Sequence, residues 1–374
     1  MKLTIRILRI FIGIIFTFSG FVKAVDPIGT QIKFEDYFLA MGIEWLSPAA
    51  LFFSFLMNAA EFSLGIMLII NTLPKFSVIA AIALMTVFTP LTLWLAIYNP
   101  VTDCGCFGDA ITLTNWETFW KNIIILAILI FLLIKRNYLN SRLILKKEVF
   151  FSSVIFASAF IFEFYNIIKS PLIDFRPYAE GTNIIKNMEY PKNAEKDIYE
   201  TKIVYKNLKS GDKKEFNIEN CPYDDTLTWA FDTTINKLIK KGYEPPIHDF
   251  VISDLNGNDI TENILSNKNY SFIIISNDLK ESNEKEISKL KLIAKFAEEN
   301  HLKYYCFTAS GEKDIKRYSL RYPRSIKFFT ADKKMLQTFV RSNPSLIILK
   351  NAVIIKKYSY FEIPGIENLK KYIK

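Results

Sequence analysis

Five runs of apolar residues, 5–22, 49–70, 76–97, 116–134 and 149–168, occupy the first half of the chain. Each approaches the roughly 20 residues that a helix needs to cross about 30 Å of hydrocarbon, so the pattern predicts five transmembrane helices. Beyond Pro171 the pattern changes to short apolar runs set among Lys, Asn, Glu and Tyr, which marks at least one further domain. A polar connector comes first, and the runs 199–205 and 214–218 around Ser210-Gly211-Asp212 predict a β-hairpin. Residues 226–241 predict a helix ending at Gly242, and Pro245-Pro246 marks a boundary. From Ile247 the order is a turn at Asn256-Gly257, a strand over 270–276, a helix over 284–300 and a strand over 302–308, which together form a βαβ unit. A helix over 312–320, a strand over 326–330, two strands over 345–349 and 353–358, and a terminal helix follow. The regions expected are therefore 1–140, a fifth helix with its basic connection over 141–170, an exported accessory region over 171–244, and an α/β domain over 245–374.

Charge gives the bundle an orientation. Lys2, Arg6 and Arg9 precede the first span, Lys75 sits between the second and third, and Lys135, Arg136, Arg142, Lys146 and Lys147 lie between the fourth and fifth. Basic segments stay cytoplasmic. The N-terminus is thus expected inside the cytoplasmic (inner) membrane and the C-terminal half outside it, in the periplasm or its equivalent. A cleavable signal peptide, with a basic stretch over 1–9 and Val22-Lys23-Ala24 as cleavage site, is the less favoured reading of the first span. It leaves the later spans in the same orientation. The formal charge of +9 reflects this topology and a lysine-rich soluble face, and no compact basic patch accompanies it, so nucleic-acid binding is set aside.

The connection before the fourth span reads Asp103-Cys104-Gly105-Cys106-Phe107-Gly108-Asp109. Two thiols one residue apart at a membrane face can pass electrons once something favours a thiolate. Thr114-Asn115-Trp116-Glu117 is a capping-box pattern that fixes the start of the next helix and points its positive end at the loop. Asp103 and Asp109 are expected to act against a thiolate. Zinc is a weaker reading, because only His248 and His301 remain as ligands and both are far along the chain. Within the spans, Ser54, Asn58, Glu61 and Gly65 form one stripe at helical spacing, with Lys23, Lys121 or Asn122 as possible partners of the Glu61 carboxyl. Thr86, Thr89 and Pro90 mark a similar polar face on the third span.

Phe18-Ser19-Gly20-Phe21-Val22-Lys23 with Asp26-Pro27, Glu61, and Cys104-Gly-Cys106-Phe107-Gly108 resemble the DoxX/MauE-type membrane family over roughly the first 140 residues. That resemblance implies a four-helix core to which this chain adds one span. It also implies redox or envelope-maturation work, since MauE is associated with maturation of a disulfide-rich dehydrogenase subunit and DoxX relatives with quinol oxidation and thiol stress. It carries over to Cys104 and Cys106, and to Glu61. The order of elements after Ile247, with Asn343-Pro344 where that fold carries its cis-proline, resembles thioredoxin-like proteins. The turn that would hold Cys-x-x-Cys reads Asn277-Asp278-Leu279-Lys280-Glu281-Ser282-Asn283, without a nucleophile. Cys306 falls in a predicted central strand as a buried apolar thiol, and Cys221 is either a spectator or an acceptor of the loop disulfide.

The expected fold is thus an α-helical membrane bundle with a C-terminal α/β thioredoxin-like domain. The leading functional reading is thiol–disulfide exchange through Cys104 and Cys106 with an exported partner bound by that domain. Glu61 would organise a polar pocket, with a quinone as its candidate occupant. The alternatives are a non-enzymatic scaffold with a stapled loop, and a quinone-binding respiratory accessory.

Overall fold

The structure is a computed structural model that describes residues 1–101, 103–141, 143–195, 198–240, 242–282 and 284–372. Arg142, Lys241, Asn283 and Lys374, which fall in the regions assigned above, lie outside the described residues. The chain starts with α1 (Lys2–Val25), α2 (Pro27–Ala40), a 3-10 turn at Glu44–Ala49 leading into α3 (Ala50–Ile70), α4 (Pro74–Tyr98), α5 (Asn115–Ile134) and α6 (Leu145–Ile168). Among the described residues five helices, all of these except α2, are long and apolar enough to cross a membrane. The chain is a multi-pass membrane protein.

The stretch after the first span differs from expectation. What reads as a charged loop from Asp26 to Glu44 contains helix α2, because Asp26 accepts from Gly29 N at 3.0 Å as N-cap and Pro27 occupies the first turn, where its missing N–H costs nothing. The polar face of α4 also differs. Ala81, Met85, Thr89 and Thr92 form its buried row at steps of four and three, whereas Thr86 lies about 100° off that row, is exposed, and donates to Ile82 O in its own helix at 2.8 Å.

Small residues bring α1 and α3 close together. A Cβ added at Gly20 would meet Phe62 N at 2.3 Å, and one at Gly65 would meet Thr17 N at 2.3 Å. Such contact is how membrane helices gain packing energy when lipid is as apolar as leucine. Toward the end where α1 starts, the core is apolar, with Ile5, Ile12, Phe16, Leu64 and Leu68 packed on Val78, Ile125 and Leu129. Toward the other end it becomes polar. Gly20→Ala should lower the thermal stability of the detergent-solubilised protein, by about 1–3 kcal/mol for an overpacked contact. Equal melting temperatures would show that the helices separate without cost.

Residues Ile184–His248 form a separately packed unit. It holds α7 (Ile184–Met188) and strands β1 (Ile198–Asn207), β2 (Lys213–Asn217) and β3 (Trp229–Lys240), in the antiparallel order β2-β1-β3. The expected hairpin is β1 and β2. The expected helix over 226–241 is instead strand β3, because Trp229, Phe231, Thr233, Thr234 and Ile235 suit a pleated surface and the long β1 offers a second edge. Tyr205, Phe216, Trp229 and Phe231 meet edge to face across the sheet.

The C-terminal α/β part, expected to be thioredoxin-like, follows as β4 (Ile252–Ser253), α8 (Thr261–Leu265), β5 (Tyr270–Ser276), α9 (Glu284–Glu299), β6 (Lys303–Thr308), α10 (Glu312–Tyr318), β7 (Lys327–Ala331), α11 (Lys333–Phe339), β8 (Ser345–Lys350), β9 (Val353–Tyr358) and α12 (Ile366–Leu369). Its sheet order is β4-β7-β6-β5-β8-β9. The pairs β5–β6 and β6–β7 are parallel, the others antiparallel, and the Asn343–Pro344 bond entering β8 is cis. Strand alternation puts Phe272, Ile274, Cys306, Leu346 and Ile348 into one core with Ile287, Leu290 and Ile293 of α9. The opposite face carries Ile273, Ile275, Phe307 and Ile347. A connector ties this domain to the bundle. Ser170 donates through N and Oγ to Glu362 at 2.8 and 2.9 Å, Ser359 Oγ donates to Ile168 O at 3.2 Å, and Lys357 Nζ meets Asp174 Oδ2 at 2.6 Å.

Candidate functional site

The loop between α4 and α5 is built by its ends. Asn99 closes α4 in the left-handed conformation, and Asn115 Nδ2 donates to Asn99 Oδ1 and Val101 O at 2.9 Å each. The capping box forms as its pattern predicts: Glu117 N donates to Thr114 Oγ1 at 3.2 Å and Thr114 N to Glu117 Oε2 at 2.9 Å. Between these ends Gly105 and Gly108 have φ of 61° and 51°, a region that other residues enter only with strain. Asp103 Oδ1 accepts from Gly105 N at 2.8 Å. This tight path puts the sulfurs of Cys104 and Cys106 2.9 Å apart, both as free thiols.

Thr118, fully buried in the first turn of α5, places Oγ1 3.2 Å from Cys104 Sγ, where its hydroxyl can donate to a thiolate. Lys121, one turn on, lies over the Phe107 ring at 4.5 Å. The hydrogen bond from Cys106 outweighs burial, and with help from Thr118 and Lys121 it brings Cys104 down to about 6. The neighbouring sulfur keeps the shared proton, so Cys106 is pushed well up. The two carboxylates expected to oppose a thiolate are answered by cations. Lys33 pairs with Asp103 at 2.8 Å, and Arg341 lies 3.5 Å from Asp109, whose carboxyl burial raises.

Glu61 finds its partner in Lys23, one of the three possible cations and amides named from sequence, in a nearly buried ion pair. Ser54 Oγ donates to Pro27 O at 2.6 Å, and Asn58 Nδ2 to Lys23 O at 3.2 Å. Lys23 is also within electrostatic range of both sulfurs, and Ser19 Oγ donates to Cys106 O at 2.6 Å. The stripe on α3 and the cysteine loop therefore share one end of the bundle. Lys121 and Asn122 serve elsewhere, Lys121 at the loop and Asn122 donating to Thr92 Oγ1 at 3.2 Å.

Three participants escaped the sequence reading. Tyr37 OH of α2 donates to Cys104 O at 2.5 Å, and Tyr37 shares an apolar cluster with Cys104, against which Phe34 and Cys106 pack. Arg341, two residues before the cis bond, grips Asp26 with Nε at 2.9 Å and Nη2 at 2.7 Å. Glu163 on α6 is fully buried beside Asn58. An acid among the apolar residues of the fifth span was the available signal for Glu163. Nothing local announced the other two.

The remaining cysteines and histidines have local partners of their own. Cys306 sits in the α9-side core, where burial pushes its thiol far up. Cys221, half-buried, belongs to the separately packed unit, with Sγ 3.2 Å from Asn217 O. His248 Nε2 lies 3.3 Å from Glu244, and His301 takes the left-handed turn between α9 and β6. In the turn after β5, Ser276 and Ser282 hydroxyls meet at 2.6 Å and Tyr322 OH donates to Ser282 at 2.9 Å, a hydroxyl network with no thiol. Among the described residues no cluster of three or more His, Cys, Asp or Glu converges to hold a metal.

Comparison with known proteins divides the chain along similar lines. No curated protein matches it. Residues 199–241 match a family described only as a domain of unknown function, DUF8463. The chain is similar to the crystal structure of a thioredoxin-like protein from Bacteroides caccae, at 15% identity and a TM-score of 0.25, over 33% of this chain and 46% of that one. It thus spans less than half the length of that structure. Residues 1–135, from the start of α1 to one residue past α5 and so including Cys104, Cys106 and the Lys23–Glu61 pair, match the family described as Methylamine utilisation protein MauE.

Proposed function

We propose that this protein is a membrane-bound thiol–disulfide exchange protein in which Cys104 attacks and Cys106 resolves. The observation that carries this reading is the pair of free sulfurs 2.9 Å apart, with the Thr118 hydroxyl 3.2 Å from Cys104. The Cys104 thiolate attacks one sulfur of a client disulfide, forming a mixed disulfide while the client's other sulfur leaves as a thiolate. Cys106 then gives up its proton and attacks Cys104, so the client departs as a dithiol and the pair becomes a disulfide. The same steps in reverse insert a disulfide into a client. Basic residues at the opposite end of the bundle, Lys2, Arg6, Lys75, Lys135 and Arg136, support an exported position for the loop. The client is then a protein outside the cytoplasm, and the thioredoxin-like domain, lacking a thiol in its β5 turn, serves to bind it.

Trapping in membranes tests the reading. Cys106→Ser removes the resolving sulfur and should accumulate a reductant-sensitive adduct on Cys104, whereas Cys104→Ser should yield little and the double variant none. Absence of adduct from both single variants at normal abundance would leave the loop a structural element.

A further inference from the structure

The attacking sulfur of this scheme belongs to a buried residue. Cys104 keeps 9% of its surface and Cys106 is half-buried, and α2 covers them together with α4 and the first turn of α5. The Tyr37 hydroxyl holds the Cys104 carbonyl, Tyr37 and Cys104 share an apolar cluster against which Phe34 packs, and the Lys33 stem lies where a Cβ on Gly105 would touch its Cγ at 3.0 Å. Lys33 Nζ then closes on Asp103 at 2.8 Å. On this side, α2 stands between Cys104 and a client.

The thioredoxin-like domain holds both ends of this helix. At its N-terminus, Arg341 makes a bidentate bond to Asp26, the N-cap of α2, and also reaches Asp109 at the far edge of the cysteine loop. Burial alone would raise the Asp26 carboxyl, but Arg341 and Arg176 outweigh it and hold it below its ordinary value. Toward its C-terminus, Lys334 of α11 pairs with Asp36 at 2.9 Å. Flanking α2 are Asp26, outside helical geometry, and Gly42, with φ of 70°. Both are breaks at which a short helix can pivot.

We infer that α2 is a strap over the cysteine pair, latched by Arg341 and Lys334 of the thioredoxin-like domain, and that exchange at Cys104 requires it to lift. This deepens the exchange reading and rests on it. Arg341 and Lys334 are positioning residues that act on the thiols through α2, and a client bound to the domain is placed to loosen them.

The test measures alkylation of Cys104 in the full-length protein in native membranes, at a pH where the thiolate is fully formed. Arg341→Gln should speed the reaction about tenfold or more, as loss of a charge-assisted bidentate contact. Lys334→Glu should speed it by about threefold, as loss of an exposed pair. Adding Asp36→Lys to Lys334→Glu should restore the slow rate, which general loosening of the fold would not do. An unchanged rate in Arg341→Gln, or a rise in Lys334→Glu that Asp36→Lys fails to reverse, would overturn the strap. If Arg341→Gln does not accumulate, the charge swap alone decides. Alkylation needs no client, so failure of the strap and failure of exchange are read separately: the first leaves these rates flat, and the second leaves the trapping experiment empty.

Discussion

Glu61→Gln is expected to cost about 3–5 kcal/mol of stability, because it strands the buried Lys23 ammonium without its countercharge. Lys23 and Glu61 side chains are only 7% and 12% exposed, and the pair lies where α1 and α3 cross most closely. Lys23→Met should cost a similar amount for the mirror reason. The double variant Lys23→Met with Glu61→Gln should recover most of the loss, since removing both charges leaves neither one uncompensated. Melting in detergent with the four proteins of this cycle checks the coupling, and costs that simply add would mean the two charges do not act as a unit. The double variant also separates two roles for the pair. If it folds and still traps clients through Cys104, the pair ties helices together. If it folds and is silent, the charge beside the thiols takes part in their chemistry.

How much of this was legible in the sequence depends on the range of the interaction. The five spans, the capping box at Thr114 and the strands from Tyr270 onward are local patterns of apolar period, hydroxyl and turn residue, and these predict elements well. Helix α2 was hidden because Gln31, Lys33, Glu35 and Asp36 break up its apolar face, so it looks like a charged loop unless Asp26-Pro27 is taken as a cap. Strand β3 was mistaken for a helix because Leu238, Ile239 and the lysines around them suit either period, and pairing with β1 decided the matter. The candidate site divides in the same way. Cys104 and Cys106 stand out in one line of sequence, and Glu61 stands out as an acid in a span. The contact of Arg341 with Asp26 joins positions 315 residues apart. It follows from where the fold brings the loop before β8, and no periodicity encodes that. Thr118 is intermediate: it is visible as the first-turn hydroxyl of a well-capped helix once the loop is known to fold back on that turn.

The thiol chemistry should declare itself in a pH profile. With Cys104 held at about 6, its alkylation should rise through an inflection near pH 6 and level off by about pH 7. An ordinary thiol near pKa 8.5 would still be climbing there, with roughly 3% thiolate at pH 7 against roughly 90% here, a difference of about thirtyfold in reactive species. The sign is that of a depressed acid: the thiolate is present above the shifted value and is lost as pH falls through it, so adduct formation should fail between pH 7 and 5. The hydrogen bond from Cys106 is the largest cause of the shift and Thr118 a smaller one. Cys106→Ala should therefore move the inflection upward by more than Thr118→Val does, since burial is then opposed by fewer donors. Comparing inflections within each variant removes differences in access, so a strap that opens more easily in one of them does not disturb the comparison. A wild-type inflection between pH 8 and 9, or one that Cys106→Ala leaves in place, would show that the two sulfurs do not share a proton and that Cys104 has no advantage as the attacking thiol.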